Sequence, residues 1–167
     1  MANKIDKLNV FLANLAVMNI KVHNLHWNVV GPNFPVIHKM TEEIYKMFQC
    51  QFDELAEVMK TQNRMPMGTM AQFLENTTVE EVEPRDYTGY EVIDELASDC
   101  ENIMAMAKDI RDEADKKDDF QIANLFEDYL ALYAKQAWII RAMQEEDAIE
   151  IEELEGDDDD DDSEDEE

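Results

Sequence analysis

Two pairs of side chains that could bind a metal stand in one segment of the chain. His38 and Glu42 are four residues apart, and the same spacing separates Asp53 from Glu57. On an α-helix each pair lies on one face. The two pairs are separated by about three turns, so all four side chains point in roughly the same direction. Imidazole and carboxylate groups without cysteine favour iron over structural zinc, because oxygen ligands hold the ferric ion and imidazole keeps affinity for the ferrous ion.

The two pairs cannot bind the same ion within one helix. At about 1.5 Å of rise per residue, they lie roughly 16 Å apart along the helix axis. Two copies of the helix, packed antiparallel about a two-fold axis, would bring the first pair of one copy to the second pair of the other and create the site twice. His26, in the preceding apolar segment, is a fifth candidate ligand. A packed or capping histidine and a solvated acidic helix face are the alternatives; five such residues at these spacings favour the metal site.

The composition indicates a single helical domain with an acidic surface. The 167 residues include only four Gly and four Pro, and the formal charge is -27. Residues 150–167 contain fourteen acids and no base, which leaves -13 for residues 1–149. Such a charge repels phosphate backbones, and Lys4 and Lys7 are too few to make a basic arm. The sequence therefore predicts no nucleic-acid partner.

Two further sequence features indicate the cellular compartment of the protein. Cys50 and Cys100 form no short motif, as expected of unpaired thiols in a reducing cytosol. No signal peptide and no membrane-spanning segment are recognisable, so we expect a soluble, cytoplasmic protein without a membrane partner.

Apolar residues at three- and four-residue steps predict four long helices and one short one. The Gly31-Pro32 turn separates the first two, and a long connection with a short helix capped by Thr69 precedes the third, which opens at Thr88. The predicted helices cover ~3–30, ~35–63, Met70–Glu75, a segment from Thr88 to a turn at 116–119, and ~119–146. Two hairpins joined by a long crossover predict an all-α, ferritin-like four-helix bundle.

The predicted bundle covers residues 1–149, and residues 150–167 form a predicted disordered acidic tail. The unbroken acidic run from Asp157 to Asp162 repels itself and contains no core-forming pattern. A solubilising role is one interpretation of this tail. Loose cation binding and docking to a partner remain open beside it.

Several motifs resemble the Dps family, the mini-ferritins known as DNA-binding proteins from starved cells. They are HNLHWNVVGPNF at 23–34, His38 with Glu42-Glu43, FDELAE at 52–57, PMGT at 66–69 and WIIRA at 138–142. The resemblance extends over residues ~3–146. It implies a hollow shell of twelve subunits that oxidises Fe(II), usually with hydrogen peroxide, and stores the ferric mineral inside. Such a ferroxidase would use iron as substrate and protect the cell against oxidative stress.

Matched position by position, the resemblance implies a metal centre shared between subunits. One subunit would supply His26, His38 and Glu42, and its two-fold mate would supply Asp53 and Glu57. The family often has Asp at the position of Glu42, whose longer side chain keeps the charge.

Three neighbouring positions have weaker counterparts in the family. Trp27 resembles an aromatic residue suspected of intercepting radicals, and simple packing at the dimer interface is an equal alternative. Glu43 could help to nucleate mineral, although Lys39 stands nearby where the family often has an acid.

The resemblance also implies iron-entry pores lined by acids near the start of the last helix. Asp118 and Asp119 fit that role, but Asn124 stands where Asp is common. Glu127 or Asp128 could supply the missing charge; otherwise the pore attracts Fe(II) less strongly.

Two other functions compete with an iron-oxidising store. A nucleoid-binding structural protein conflicts with the negative charge of both the body and the tail. A 24-subunit ferritin or a haem-binding bacterioferritin would place both metals inside one bundle with Glu-x-x-His motifs, and the sequence contains none. The choice between peroxide and dioxygen as oxidant stays open.

Overall fold

A computed structural model describes the backbone of residues 6–156 and the side chains of residues 6–144. Within that part of the chain there are five helices and two short strands. In chain order they are α1 (Lys7–Asn28), β1 (Val29–Val30), α2 (Phe34–Thr61), α3 (Met70–Asn76), β2 (Tyr87–Thr88), α4 (Gly89–Asp115) and α5 (Phe120–Gly156). The α1/α2 hairpin packs against the α4/α5 hairpin, and α3 lies on α1 within the crossover. The predicted four-helix bundle with a crossover helix is confirmed.

Side-chain caps begin three of these helices. The Asp6 carboxylate accepts a hydrogen bond from the Leu8 amide at the start of α1, and Thr69 caps α3 as predicted. Thr88 and Glu91 form a reciprocal capping box at the start of α4. Each cap satisfies amides that have no partner within the helix. The starts at Thr69 and Thr88 were predicted, whereas the first helix was predicted to begin near residue 3 and begins at Lys7.

The turn between α1 and α2 depends on a glycine. Gly31 has a φ of +103°, a conformation that side chains with a Cβ rarely adopt. Pro35 stands in the first turn of α2, where its missing amide hydrogen costs nothing. This tight turn sets the last turn of α1 beside the first turn of α2.

The core is built from the apolar stripes that the sequence pattern contains. Its largest fully buried side chains include Phe11, Leu12, Leu25, Leu55, Phe126, Tyr129 and Tyr133. Phe11 packs edge-on against Phe126 with ring centroids 4.9 Å apart, which joins the two hairpins.

One ion pair is largely buried between α1 and α4. Lys21 of α1 is only 5% exposed, and its ammonium donates to Asp99 of α4 at 3.0 Å and lies 3.1 Å from Glu95. Burial raises the pKa of Asp99, while the Lys21 ammonium opposes that rise. The pair links α1 to α4 across the bundle.

A parallel two-stranded bridge joins the hairpin turn to the end of the crossover. Val29 of β1 pairs with Tyr87 of β2, and Val30 pairs with Thr88. Gly89 follows directly, and a Cβ built on it would come within 2.6 Å of the Ile37 side chain of α2. This bridge was not predicted, because two-residue strands have no periodicity to detect.

Two helix ends differ from their predicted positions. The first helix ends at Asn28 rather than near residue 30, because residues 29 and 30 form β1. The last helix continues to Gly156 instead of stopping near residue 146, as the Glu, Ala and Leu of that segment favour helix. Residues 150–156, which were predicted to belong to the disordered tail, thus lie in α5. Residues 157–167 lie outside the described part, so the disorder of the rest of the tail and the division into two domains stay predictions.

No helix among the described residues is long and apolar enough to span a membrane. The cytoplasmic location stays a prediction.

Candidate metal centre

The α1/α2 hairpin brings His26 and His38 into contact. His26 lies in the last turn of α1 and is 8% exposed, while His38 is half-buried in the first turns of α2. Their rings stack with centroids 3.7 Å apart and planes inclined by 18°. The turn at Gly31 thus brings together two histidines that are twelve positions apart in the sequence.

Reciprocal hydrogen bonds fix the orientation of the two imidazoles. Nδ1 of His26 donates to the carbonyl oxygen of His38 at 2.8 Å, and Nδ1 of His38 donates to the carbonyl oxygen of His26 at 2.8 Å. A carbonyl can only accept, so Nδ1 carries the hydrogen in both rings. In the neutral form each Nε2 therefore keeps its lone pair for a metal, the arrangement usual in metal-binding histidines.

Thr41 of α2 contacts the histidine pair through its hydroxyl group. Its side chain is fully buried, and Oγ1 donates to the carbonyl oxygen of Ile37 at 2.8 Å. The same Oγ1 lies 3.1 Å from Nδ1 of His26, close enough to accept a share of that N–H bond. Thr41 is three residues beyond His38 and so faces α1, which is the signal by which sequence reasoning could have found it.

The electrostatics of the site suit a cation. Burial lowers the pKa of His26, which favours the neutral, metal-binding ring at pH 7. A hydrogen bond from Lys46 lowers the pKa of Glu42 and keeps its carboxylate ionised. Glu42 also interacts electrostatically with His26, which raises the pKa of His26 and lowers that of Glu42, although burial and Lys46 are the larger influences.

Asp53 and Glu57 are exposed on the same helix, about three turns beyond Glu42. Across the residues that the structure describes, no three His, Cys, Asp or Glu side chains of one chain are grouped to hold a metal ion. One chain therefore brings His26 and His38 into contact. Glu42 lies near enough for a coulombic interaction with them, and Asp53 and Glu57 stay apart.

Aromatic rings surround the histidine pair. Tyr45 stands edge-on to His26 with centroids 5.2 Å apart, and His23 stacks on Tyr45 at 3.7 Å. Trp27 lies 5.3 Å from His23 and is 66% exposed in a single chain. Both interpretations of Trp27, radical interception and interface packing, stay predictions. Tyr45 was not predicted as part of the site, although its seven-residue spacing from His38 puts both on one side of α2.

Among the predicted pore acids, Asp119 forms contacts within its own chain. Its carboxylate accepts a hydrogen bond from Gln62 at 2.7 Å and pairs with Arg64 at 3.2 Å. It also accepts weakly from the amide of Ile122 at the start of α5. Asp118 and Asn124 are exposed, and the pore itself stays a prediction.

Comparison with known proteins adds independent findings. The model of the ferritin-like domain family matches residues 5–148. A DNA protection during starvation protein from Helicobacter pylori is 32% identical over 130 residues, which cover 78% of this chain and 90% of the relative.

Solved structures agree with that family match. The crystal structure of a Dps protein from Bacillus brevis superposes with a TM-score of 0.79 and 32% identity, covering 83% of this chain and 92% of that one. A Dps protein from Vibrio cholerae O1 gives a TM-score of 0.79 and 28% identity over 83% of this chain and 86% of that one. The latter is described as a member of a broad superfamily of ferritin-like diiron-carboxylate proteins.

Proposed function

Because the chain belongs to the ferritin-like domain family and, within it, to the Dps proteins, we propose that it oxidises Fe(II) and stores the ferric product as mineral. Iron is the substrate and the cargo of this reaction. The oxidation takes place at centres between two subunits, and the mineral fills the cavity of a shell of twelve.

The observation that carries this proposal is the histidine pair. Both Nδ1 atoms are occupied by backbone carbonyls, so the two Nε2 atoms are the free nitrogen ligands. Glu42 adds an ionised carboxylate that interacts electrostatically with His26. Two nitrogens and one oxygen are an incomplete set for iron, which takes further carboxylate ligands readily.

Asp53 and Glu57 complete the set from the partner subunit. They lie on the same helix face as His38 and Glu42, and an antiparallel two-fold contact between two α2 helices aligns each pair with the other. Their exposure in a single chain leaves both carboxylates free for this contact.

The proposed reaction joins two ferrous ions with one hydrogen peroxide. Two Fe(II) ions lose one electron each, the O–O bond of peroxide breaks, and two protons complete two water molecules. No hydroxyl radical is released when both electrons are delivered at one site. The reaction thus removes ferrous iron and peroxide together, which supports a protective role without any contact to DNA.

Subunit complementation tests the shared centre. One variant carries His26→Ala and His38→Ala, and the other carries Asp53→Ala and Glu57→Ala. Each alone should assemble and oxidise Fe(II) slowly, because both equivalent sites of every dimer lack ligands. In a mixed dimer one site combines all defects while the other is intact, so randomly mixed shells should regain about a quarter of their sites.

Native mass spectrometry establishes that the shells are mixed before rates are compared. A mixed shell that oxidises Fe(II) no faster than either variant would contradict the shared site. Rates under peroxide and under dioxygen, measured on the unaltered protein, decide which oxidant it uses.

A further inference from the structure

The predicted ligand Glu42 already has a cationic partner in the chain. Lys46, one turn further along α2, places its ammonium in a short contact with Oε1 of Glu42. Both side chains are partly exposed, at 59% for Lys46 and 40% for Glu42. A metal that binds the Glu42 carboxylate must therefore compete with this ammonium.

The two-fold contact of the proposed centre places Lys46 close to its axis. An axis that brings Glu42 to the partner's Asp53 crosses α2 between Met47 and Phe48, so Lys46 lies roughly 2 Å from it along the helix. The ammonium reaches back towards Glu42 and thus away from the axis, which separates it from its symmetry mate.

Lys46 is also within reach of the partner's ligands. The two-fold contact sets the partner's Asp53 level with Glu42. Measured along the axis of the α2 helix, both carboxylates therefore lie roughly 6 Å from Lys46. The flexible four-carbon stem of lysine covers such a span. Without a metal, each centre brings together three carboxylates, those of Glu42, the partner's Asp53 and the partner's Glu57.

We propose that the Lys46 ammonium is the counter-cation of the metal-free centre, which neutralises the carboxylates of both subunits and is displaced when Fe(II) binds. The inference rests on the proposed function and identifies Lys46 as a positioning residue. It has two consequences: Lys46 lowers the affinity of the centre for metal, and it stabilises the metal-free interface against repulsion between acids.

Metal affinity is the first readout. The probe is Zn(II), which takes the same nitrogen and oxygen ligands without redox chemistry, titrated calorimetrically into the metal-free full-length assembly. Lys46→Gln should bind Zn(II) about three- to fivefold more tightly, the upper part of the range for a partly exposed ion pair. Lys46→Met, which also lacks the charge, should behave in the same way.

Two control variants separate charge from other effects. Lys46→Arg keeps the cation and should bind Zn(II) like the unaltered protein. Lys108→Gln removes a lysine from another exposed i,i+4 ion pair, which Lys108 forms with Asp112 on α4. This variant should leave the Zn(II) affinity unchanged.

Interface stability is the second readout. The metal-free Lys46→Gln assembly should dissociate at a lower urea concentration than the unaltered protein, and saturating Zn(II) should remove that difference. A purely structural loss would persist with Zn(II) bound.

Unchanged or weaker Zn(II) affinity in both Lys46→Gln and Lys46→Met would overturn the inference. His38→Ala distinguishes this failure from that of the proposed centre. If His38→Ala abolishes Zn(II) binding while the Lys46 variants bind normally, only the role of Lys46 is wrong. If His38→Ala binds Zn(II) normally, the proposed centre is wrong as well.

Discussion

At the scale of single residues, the site is organised by hydrogen bonds to the backbone. His26 and His38 each donate to the carbonyl of the other, so each ring is held by the backbone of the histidine on which it stacks. Thr41 adds a side-chain oxygen beneath His26. The rings are thus oriented before any metal arrives, which reduces the entropy that metal binding must overcome.

Thr41→Val tests this support, because valine keeps the shape of threonine and lacks its hydroxyl. We expect Zn(II) affinity of the metal-free assembly to fall about tenfold, at the lower end for an outer hydrogen bond, since the His38 carbonyl still holds His26. Calorimetric titration gives the affinity, and circular dichroism should show unchanged helix content.

The matched control is Thr61→Val on the same helix. The Thr61 hydroxyl donates to the Val58 carbonyl far from the histidines, so this variant should bind Zn(II) normally. Equal affinities for both variants would show that Thr41 does not orient His26.

At the scale of elements, the crossover is anchored where it enters α4. Glu91 accepts hydrogen bonds from the backbone and the hydroxyl of Thr88 and from Arg85. Thr88 is also part of β2, which pairs with β1 beside the α1/α2 turn. The start of α4 is therefore connected to the turn that positions the histidine pair.

Glu91→Gln tests the charged part of this anchor. The Arg85 hydrogen bond, followed by those from Thr88, lowers the pKa of Glu91 from 4.5 to about 2. A lowered folded-state pKa means that the charge stabilises the fold above pH 4.5 and loses that effect as the pH falls towards 2. The unaltered protein should thus exceed the variant in urea midpoint at pH 7, and this difference should shrink between pH 4.5 and 2.

Glu101→Gln, at an exposed acid in the same helix, is the control and should show no such convergence. A difference between Glu91→Gln and the unaltered protein that stays constant down to pH 3 would mean that the charge of Glu91 has no part in the anchor.

At the scale of the whole molecule, charge decides which partners the surface accepts. The chain carries 41 acids against 14 Lys and Arg, and many of the bases are already paired with acids, as in Lys7 with Asp109 and Lys117 with Glu113. A surface of this charge repels polyanions and attracts divalent cations at long range.

DNA binding at physiological salt is therefore not expected, although relatives are named for DNA protection. Non-specific binding depends on lysine and arginine side chains that displace counterions from the phosphates, and in this chain acids outnumber these residues by 41 to 14. A gel-shift assay with plasmid DNA and metal-free protein should show free DNA at ~150 mM salt. Added chelator excludes divalent ions that could bridge acidic groups to phosphate, and stable retardation under these conditions would contradict the expectation.

The sequence alone was sufficient for the helices, their order and the candidate ligands. Apolar periodicity predicted the helices, Thr69 and Thr88 predicted two of their starts, and the i,i+4 spacing of His38 with Glu42 predicted a shared face. These features are local: each depends on residues within a turn or two of one another. The predicted sharing of the centre also came from spacing along one helix, and it stays a prediction that the complementation experiment tests.

Only the tertiary structure decided how distant segments meet. The stacking of His26 on His38 depends on the turn at Gly31, and the Lys21–Asp99 pair joins residues 78 positions apart. The β1/β2 bridge has too few residues for any pattern, and the contacts of Asp119 with Gln62 and Arg64 join residues that are far apart in the sequence. Periodicity reports which face of a helix is apolar, but the packing of helices against one another determines which polar side chains come within hydrogen-bond distance.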